Sequence, residues 1–133
     1  MSAKFLNNLQ LIAHDAPIKD RPWELAQDLR YFSKLLNQQI RVPTGYRTDF
    51  ASVPRLFWRL FPPYGRYARA TVVHDWLCDL LGKSGVDSKL AAAIFLEAML
   101  AAGVPGWKAA IMYRAVRHFG PRFKAAHAVK HHS

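Results

Sequence analysis

One cysteine, Cys78, is all that 133 residues contain, so no internal disulfide can brace this chain. Set in VVHDWLCDLL, that thiol is expected to pack as a small apolar side chain. Long hydrophobic runs are missing as well. The longest candidate, LAAAIFLEAMLAAGV, is interrupted by Glu97 and falls short of the roughly 18 residues that cross a bilayer, so no transmembrane segment is expected. The opening MSAKFLNNLQ lacks the apolar core and small-residue cleavage site of a secretory signal peptide. Nucleic-acid fold signatures are absent too, with no zinc-ligand spacing of Cys and His, no RNA-binding aromatic motif and no clear helix-turn-helix. Acidic side chains stop at Glu97.

What remains is a chain rich in core material, 51% apolar and 13% aromatic, which at this length predicts one folded domain over residues 1–133. Its net charge is +10, from 19 Lys and Arg against nine acids. Beyond Glu97 the chain carries Lys108, Arg114, Arg117, Arg122, Lys124 and Lys130 without a compensating carboxylate. Such a run suits a phosphate backbone, an anionic membrane surface or an acidic protein partner; it equally suits a solvated helical face with a basic tail.

Residues 1–22, punctuated by Pro17 and Pro22, read as an irregular or partly extended arm. In WELAQDLRYF the apolar residues Trp23, Leu25, Leu29 and Tyr31 recur mostly at every second position, as in a half-buried strand; Leu25, Leu29 and Phe32 would also suit a short helix. With a turn at 37–39 and a second strand through IRV, residues 23–47 predict a small hairpin. Residues 48–63 form a proline-rich loop whose aromatics, Phe50, Phe57, Trp58 and Phe61, should pin it to the core. Three helices are predicted next, near 66–81, 88–102 and 105–119. Asp87 is the N-cap of the second, Gly103 its stop, and Gly120-Pro121 ends the third. Trp107, Ile111, Ala115 and either Val116 or Phe119 make the expected buried stripe of the third helix. A basic tail, 121–133, follows. The expected fold class is therefore α+β and mostly helical, a small N-terminal hairpin leading into a three-helix C-terminal bundle.

Two segments carry the candidate chemistry. In ATVVHDWLCDLL, Ala70, Val73, Leu77 and Leu80 or Leu81 form a helical ridge with His74 at its border and Asp75 about 100° round the helix. An adjacent imidazole and carboxylate in apolar surroundings cost stability unless satisfied. The loop RTDFAS offers short polar partners, Thr48, Asp49 and Ser52. Asp49 could cap the helical turn that follows it, orient His74 as a catalytic base, or join Asp75 as a ligand for a divalent cation such as calcium. If the first two helices are antiparallel, His74 lies opposite about residue 94, leaving Asp87 roughly 10 Å away along the axis. In the tail, His127, His131 and His132 have spacings that could gather a metal, though a terminal cluster of this kind is more often solvated.

The stretches VPTGYRTDFASVPR, PPYGRYARATVVHDWL, VDSKLAAAIFLEAM and AGVPGWKAAIMYRAVRHFG resemble a family of small phage- and prophage-encoded proteins of undetermined function, over about Trp23 to Gly120. The resemblance implies a bacteriophage origin and names no activity. The helix GRYARATVVHDWLC is also distantly similar to the His-Asp helix of phospholipase A2. That likeness implies His74 as base, Asp75 as calcium ligand and Asp87 as the orienting carboxylate. The glycine-rich calcium loop and the disulfides of those enzymes have no counterpart here.

Three functions follow as expectations. The first is a phage virion, tail or accessory component that binds a phage or host protein without catalysis, in the host cytoplasm or the assembled particle, through an apolar patch around Phe57, Trp58 and Phe61. The second is a hydrolase of lipid or cell wall built on Asp49, His74 and Asp75. The third is a binder of nucleic acid or anionic membrane using Arg114, Arg117, Arg122, Lys124 and Lys130.

Overall fold

The fold, taken from a computed structural model, is described over residues 2–17, 20–50, 66–80 and 87–118. Among these, six short strands come first, β1 (Lys4–Phe5), β2 (Leu11–Ala13), β3 (Trp23–Leu25), β4 (Leu29–Ser33), β5 (Gln38–Val42) and β6 (Arg47–Thr48). Three helices follow, α1 (Arg66–Asp79), α2 (Ser88–Ala101) and α3 (Gly106–His118). The strands form two antiparallel three-stranded sheets, ordered β1-β4-β5 and β2-β3-β6. The expectation of a mostly helical chain with one small hairpin is overturned by these two sheets.

The predicted arm is where the difference begins. Residues 4–5 pair with β4, Phe5 opposite Tyr31, and residues 11–13 pair with β3, Leu11 opposite Leu25. Strands of two and three residues are too short to show a period of their own, and only their partners reveal them. The predicted single strand through WELAQDLRYF is likewise divided. Its first part belongs to one sheet and its second part to the other, and the chain crosses between them at Ala26–Asp28.

The β4–β5 hairpin is set by alternation. Leu29, Tyr31 and Ser33 point inward from β4, while Ile40 and Val42 point inward from β5, with Tyr31 opposite Ile40 and Leu29 opposite Val42. Its loop is Lys34–Asn37, earlier than the predicted 37–39, and closes with Asn37 at φ 53°, a conformation asparagine tolerates better than most residues.

α2 begins and ends close to where its caps place it. Asp87 accepts a hydrogen bond from the Leu90 N–H at 2.7 Å. At the other end of α2, Gly103 sits at φ 89°, its N–H donating to Leu100 O and that of Val104 to Met99 O, a Schellman turn closed by the buried Val104. α2 is the central helix, burying Ala91, Ala92, Ile94, Phe95, Ala98 and Met99 against α1 and α3. Glu97 fastens it to the strands, accepting from the Tyr31 hydroxyl at 2.5 Å and from the Leu35 N–H at 2.9 Å.

On α3 the expected stripe holds at Ala115 and Val116 and fails at Trp107 and Ile111, while Phe119 lies outside the described residues. Ala109, Met112, Ala115 and Val116 are buried, whereas Trp107 and Ile111 remain 64% and 39% exposed. The Schellman turn sets the direction in which α3 leaves α2, and the small Ala109 and flexible Met112 then fill the narrow space between the helices.

Candidate functional site

Residues four apart stack on one helical face, so HDWLCD lays two parallel pairs along α1: His74 above Cys78, and Asp75 above Asp79. The strands meet the second pair. The Thr48 hydroxyl, on β6, donates to Asp75 Oδ2 and accepts from the Phe50 N–H at 3.1 Å. One turn further along, Asp79 accepts from the Tyr46 hydroxyl at 2.6 Å and from both terminal nitrogens of Arg21, at 2.7 and 3.1 Å. A forked guanidinium–carboxylate bond of this kind is short and directional. Arg47 Nε in turn donates to Arg21 O at 2.8 Å. Arg21 and Phe50, both at positive φ near 55°, flank this network, and such backbone persists only where its surroundings hold it in place.

His74 and Asp75 are each 1% exposed. The imidazole lies against the Phe95 ring of α2, centroids 4.9 Å apart at 40°, and Cys78 Sγ approaches its two nitrogens at 3.8 and 3.7 Å. Cys78 is buried, as its apolar setting implied. Tyr46 packs nearly perpendicular to Trp76, with ring centroids 5.2 Å apart.

Asp79 holds the Arg21 guanidinium charged, raising its pKa beyond the ordinary arginine range. The Tyr46 hydroxyl is also pushed up, by burial first and then by the charges of Asp75 and Asp79. Tyr31 is raised by burial and by Glu97. Both phenols are therefore held neutral in the fold. Their contribution to stability is complete below the unfolded tyrosine pKa of about 10 and is lost as pH climbs beyond it. Base-induced unfolding above pH ~10 is expected, with Tyr31→Phe and Tyr46→Phe each flattening that limb in a circular-dichroism pH titration.

The expected site residues fall in different places. The Thr48 hydroxyl is bonded to Asp75 of α1. Asp49 is half-buried and adds to the field that keeps Arg21 charged, and among the described residues no hydrogen bond joins it to His74. Asp87 is exposed and occupied as the α2 cap; it lies eight residues, about 12 Å, from the Phe95 that faces His74. Arg114 is exposed on α3 and Arg117 half-buried. Ser52, Phe57, Trp58, Phe61, Arg122, Lys124, His127, Lys130, His131 and His132 lie outside the described residues.

Among the described residues no three His, Cys, Asp or Glu side chains are grouped to hold a metal. Sequence reasoning missed Arg21, Tyr46 and Asp79. Asp79 had a signal, its four-residue spacing from Asp75; the other two are 58 and 33 residues away from it and had none.

A two-sheet scaffold latched onto a helical hairpin by the buried Asp75 and the half-buried Asp79 is the class of protein that the geometry defines. The chain belongs to the family described as "Protein of unknown function (DUF1353)", whose model matches residues 23–116. It is 44% identical over 82 residues to the uncharacterised protein y4jT of Sinorhizobium fredii and 37% identical over 79 residues to y4iH of the same organism, 60% and 58% of this chain respectively. The matched parts cover 24% and 32% of those two proteins. No solved structure matches. No helix among the described residues is long and apolar enough to cross a membrane.

Proposed function

We propose that this chain is a non-catalytic accessory or virion component of bacteriophage origin, acting through its surface on a partner. The observation that carries the reading is the burial of His74 and Asp75, 1% exposed each, in contacts with Phe95, Cys78 and Thr48. A general base must reach the proton it removes, directly or through one water. Here the imidazole is spent on packing between α1 and α2, and the Asp75 carboxylate on fastening β6 to α1. The net charge of +10 supports a role at the surface.

The test is a comparison of wild type with His74→Gln and Asp75→Asn on phospholipid, ester and peptidoglycan substrates, with calcium and with a chelator. No turnover above background is expected from any of the three, together with lowered melting temperatures for both variants. Hydrolysis by wild type that vanishes in a folded His74→Gln protein would defeat the reading.

A further inference from the structure

Six large apolar side chains are exposed among the described residues, and three of them, Leu100, Trp107 and Ile111, flank one turn, that between α2 and α3. Trp107, Ile111, Arg114 and His118 stand at successive spacings of four, three and four, which places all four on one face of α3. All four are exposed, opposite the buried Ala109, Met112 and Val116. Apolar side chains occupy the end of that face near the turn and the Arg114 guanidinium lies further along it, with Lys108 over the Trp107 ring at 5.4 Å and Arg117 alongside. The helix GWKAAIMYRAVRH has no acidic residue.

We propose that this outer face of α3, with the α2–α3 turn, docks on an anionic phospholipid bilayer. The inference rests on the surface-acting role proposed above and names the surface and its partner. Tryptophan prefers the interfacial zone of a bilayer, with its ring among the headgroups and its N–H still wet. Arginine and lysine beside it gain from the negative surface potential, each by about fivefold in affinity. A second copy of the chain fits poorly, because a self-complementary contact would bury Lys108, Arg114 and Arg117 from both copies with no acidic side chain on either helix to pair them. Nucleic acid would match the cations but offers no duplex surface for Ile111 and Leu100. A convex helix with apolar residues at one end and cations at the other matches an interface that is apolar within and anionic at its rim.

Sedimentation with vesicles, phosphatidylcholine alone or with about one third phosphatidylglycerol, tests this directly. Binding is expected only with phosphatidylglycerol, weakening as salt is added. Trp107→Ala should reduce it on the order of tenfold and Arg114→Ala about fivefold, with melting temperatures unchanged because both side chains are exposed. Equal binding to neutral vesicles, or binding that survives both substitutions together, overturns the proposal. So does an absence of vesicle binding in a protein that grips an acidic protein or DNA through the same residues, an outcome that leaves the surface-acting role standing. Lipid breakdown abolished in a folded His74→Gln protein would defeat the non-catalytic reading instead.

Discussion

Thr48→Val is expected to destabilise the protein by about 2–4 kcal/mol, although valine has nearly the shape of threonine. The hydroxyl serves two partners at once. It donates to the Asp75 carboxylate and accepts from the Phe50 N–H, and both Thr48 and Asp75 are 1% exposed. Valine leaves a buried carboxylate oxygen without this donor and a backbone N–H without this acceptor, each costing about 1–2 kcal/mol. Thr48→Ser keeps both bonds and loses a methyl group, for about 1 kcal/mol. Urea unfolding of the three proteins measures the difference. A Thr48→Val protein as stable as Thr48→Ser would show that β6 is not latched to α1 through this hydroxyl.

Phe95→Ala should cost more, about 3–5 kcal/mol, or on the order of 10–20 °C in melting temperature. Phe95 is fully buried on the central helix and carries the imidazole of His74 on its ring. Removing it opens a cavity between α1 and α2 next to His74 and Cys78. Phe95→Leu keeps most of the volume without the ring contact and should cost under half as much. The lone thiol gives a second readout. Cys78 is 8% exposed in the intact fold, so its labelling by a thiol reagent should speed up sharply in Phe95→Ala and little in Phe95→Leu. Slow labelling in both variants would mean that the helices close over the gap.

The helices were legible because their signals are local. Asp87 caps α2 by its own side chain, and Gly103 stops it because only glycine enters that backbone region at no cost. The sheets were not, because their reasons are distant. Leu11 becomes a strand residue by facing Leu25, and Phe5 by facing Tyr31, pairings that no window along the chain contains. The first half of α3's buried face was misread for a related reason. Trp107 and Ile111 are the more hydrophobic choice for the core, yet the turn before them aims Ala109 and Met112 inward. As for the site, the proximity of the RTD segment to the His-Asp helix was readable from its unsatisfied polar groups. Which polar group makes the bond was not, since Thr48 closes β6 and Asp49 lies just beyond its end, a boundary that the sequence does not mark.

The family match begins at Trp23, after β1 and β2 have already been made. In this chain those first strands occupy the outer hydrogen-bonding rows of β4 and β3, the middle strands of their sheets. A fragment cut to the family segment would hold only two strands in each sheet and expose both rows as raw edges, a template for pairing with neighbouring molecules and for aggregation. In this chain β1 and β2 are what closes those edges.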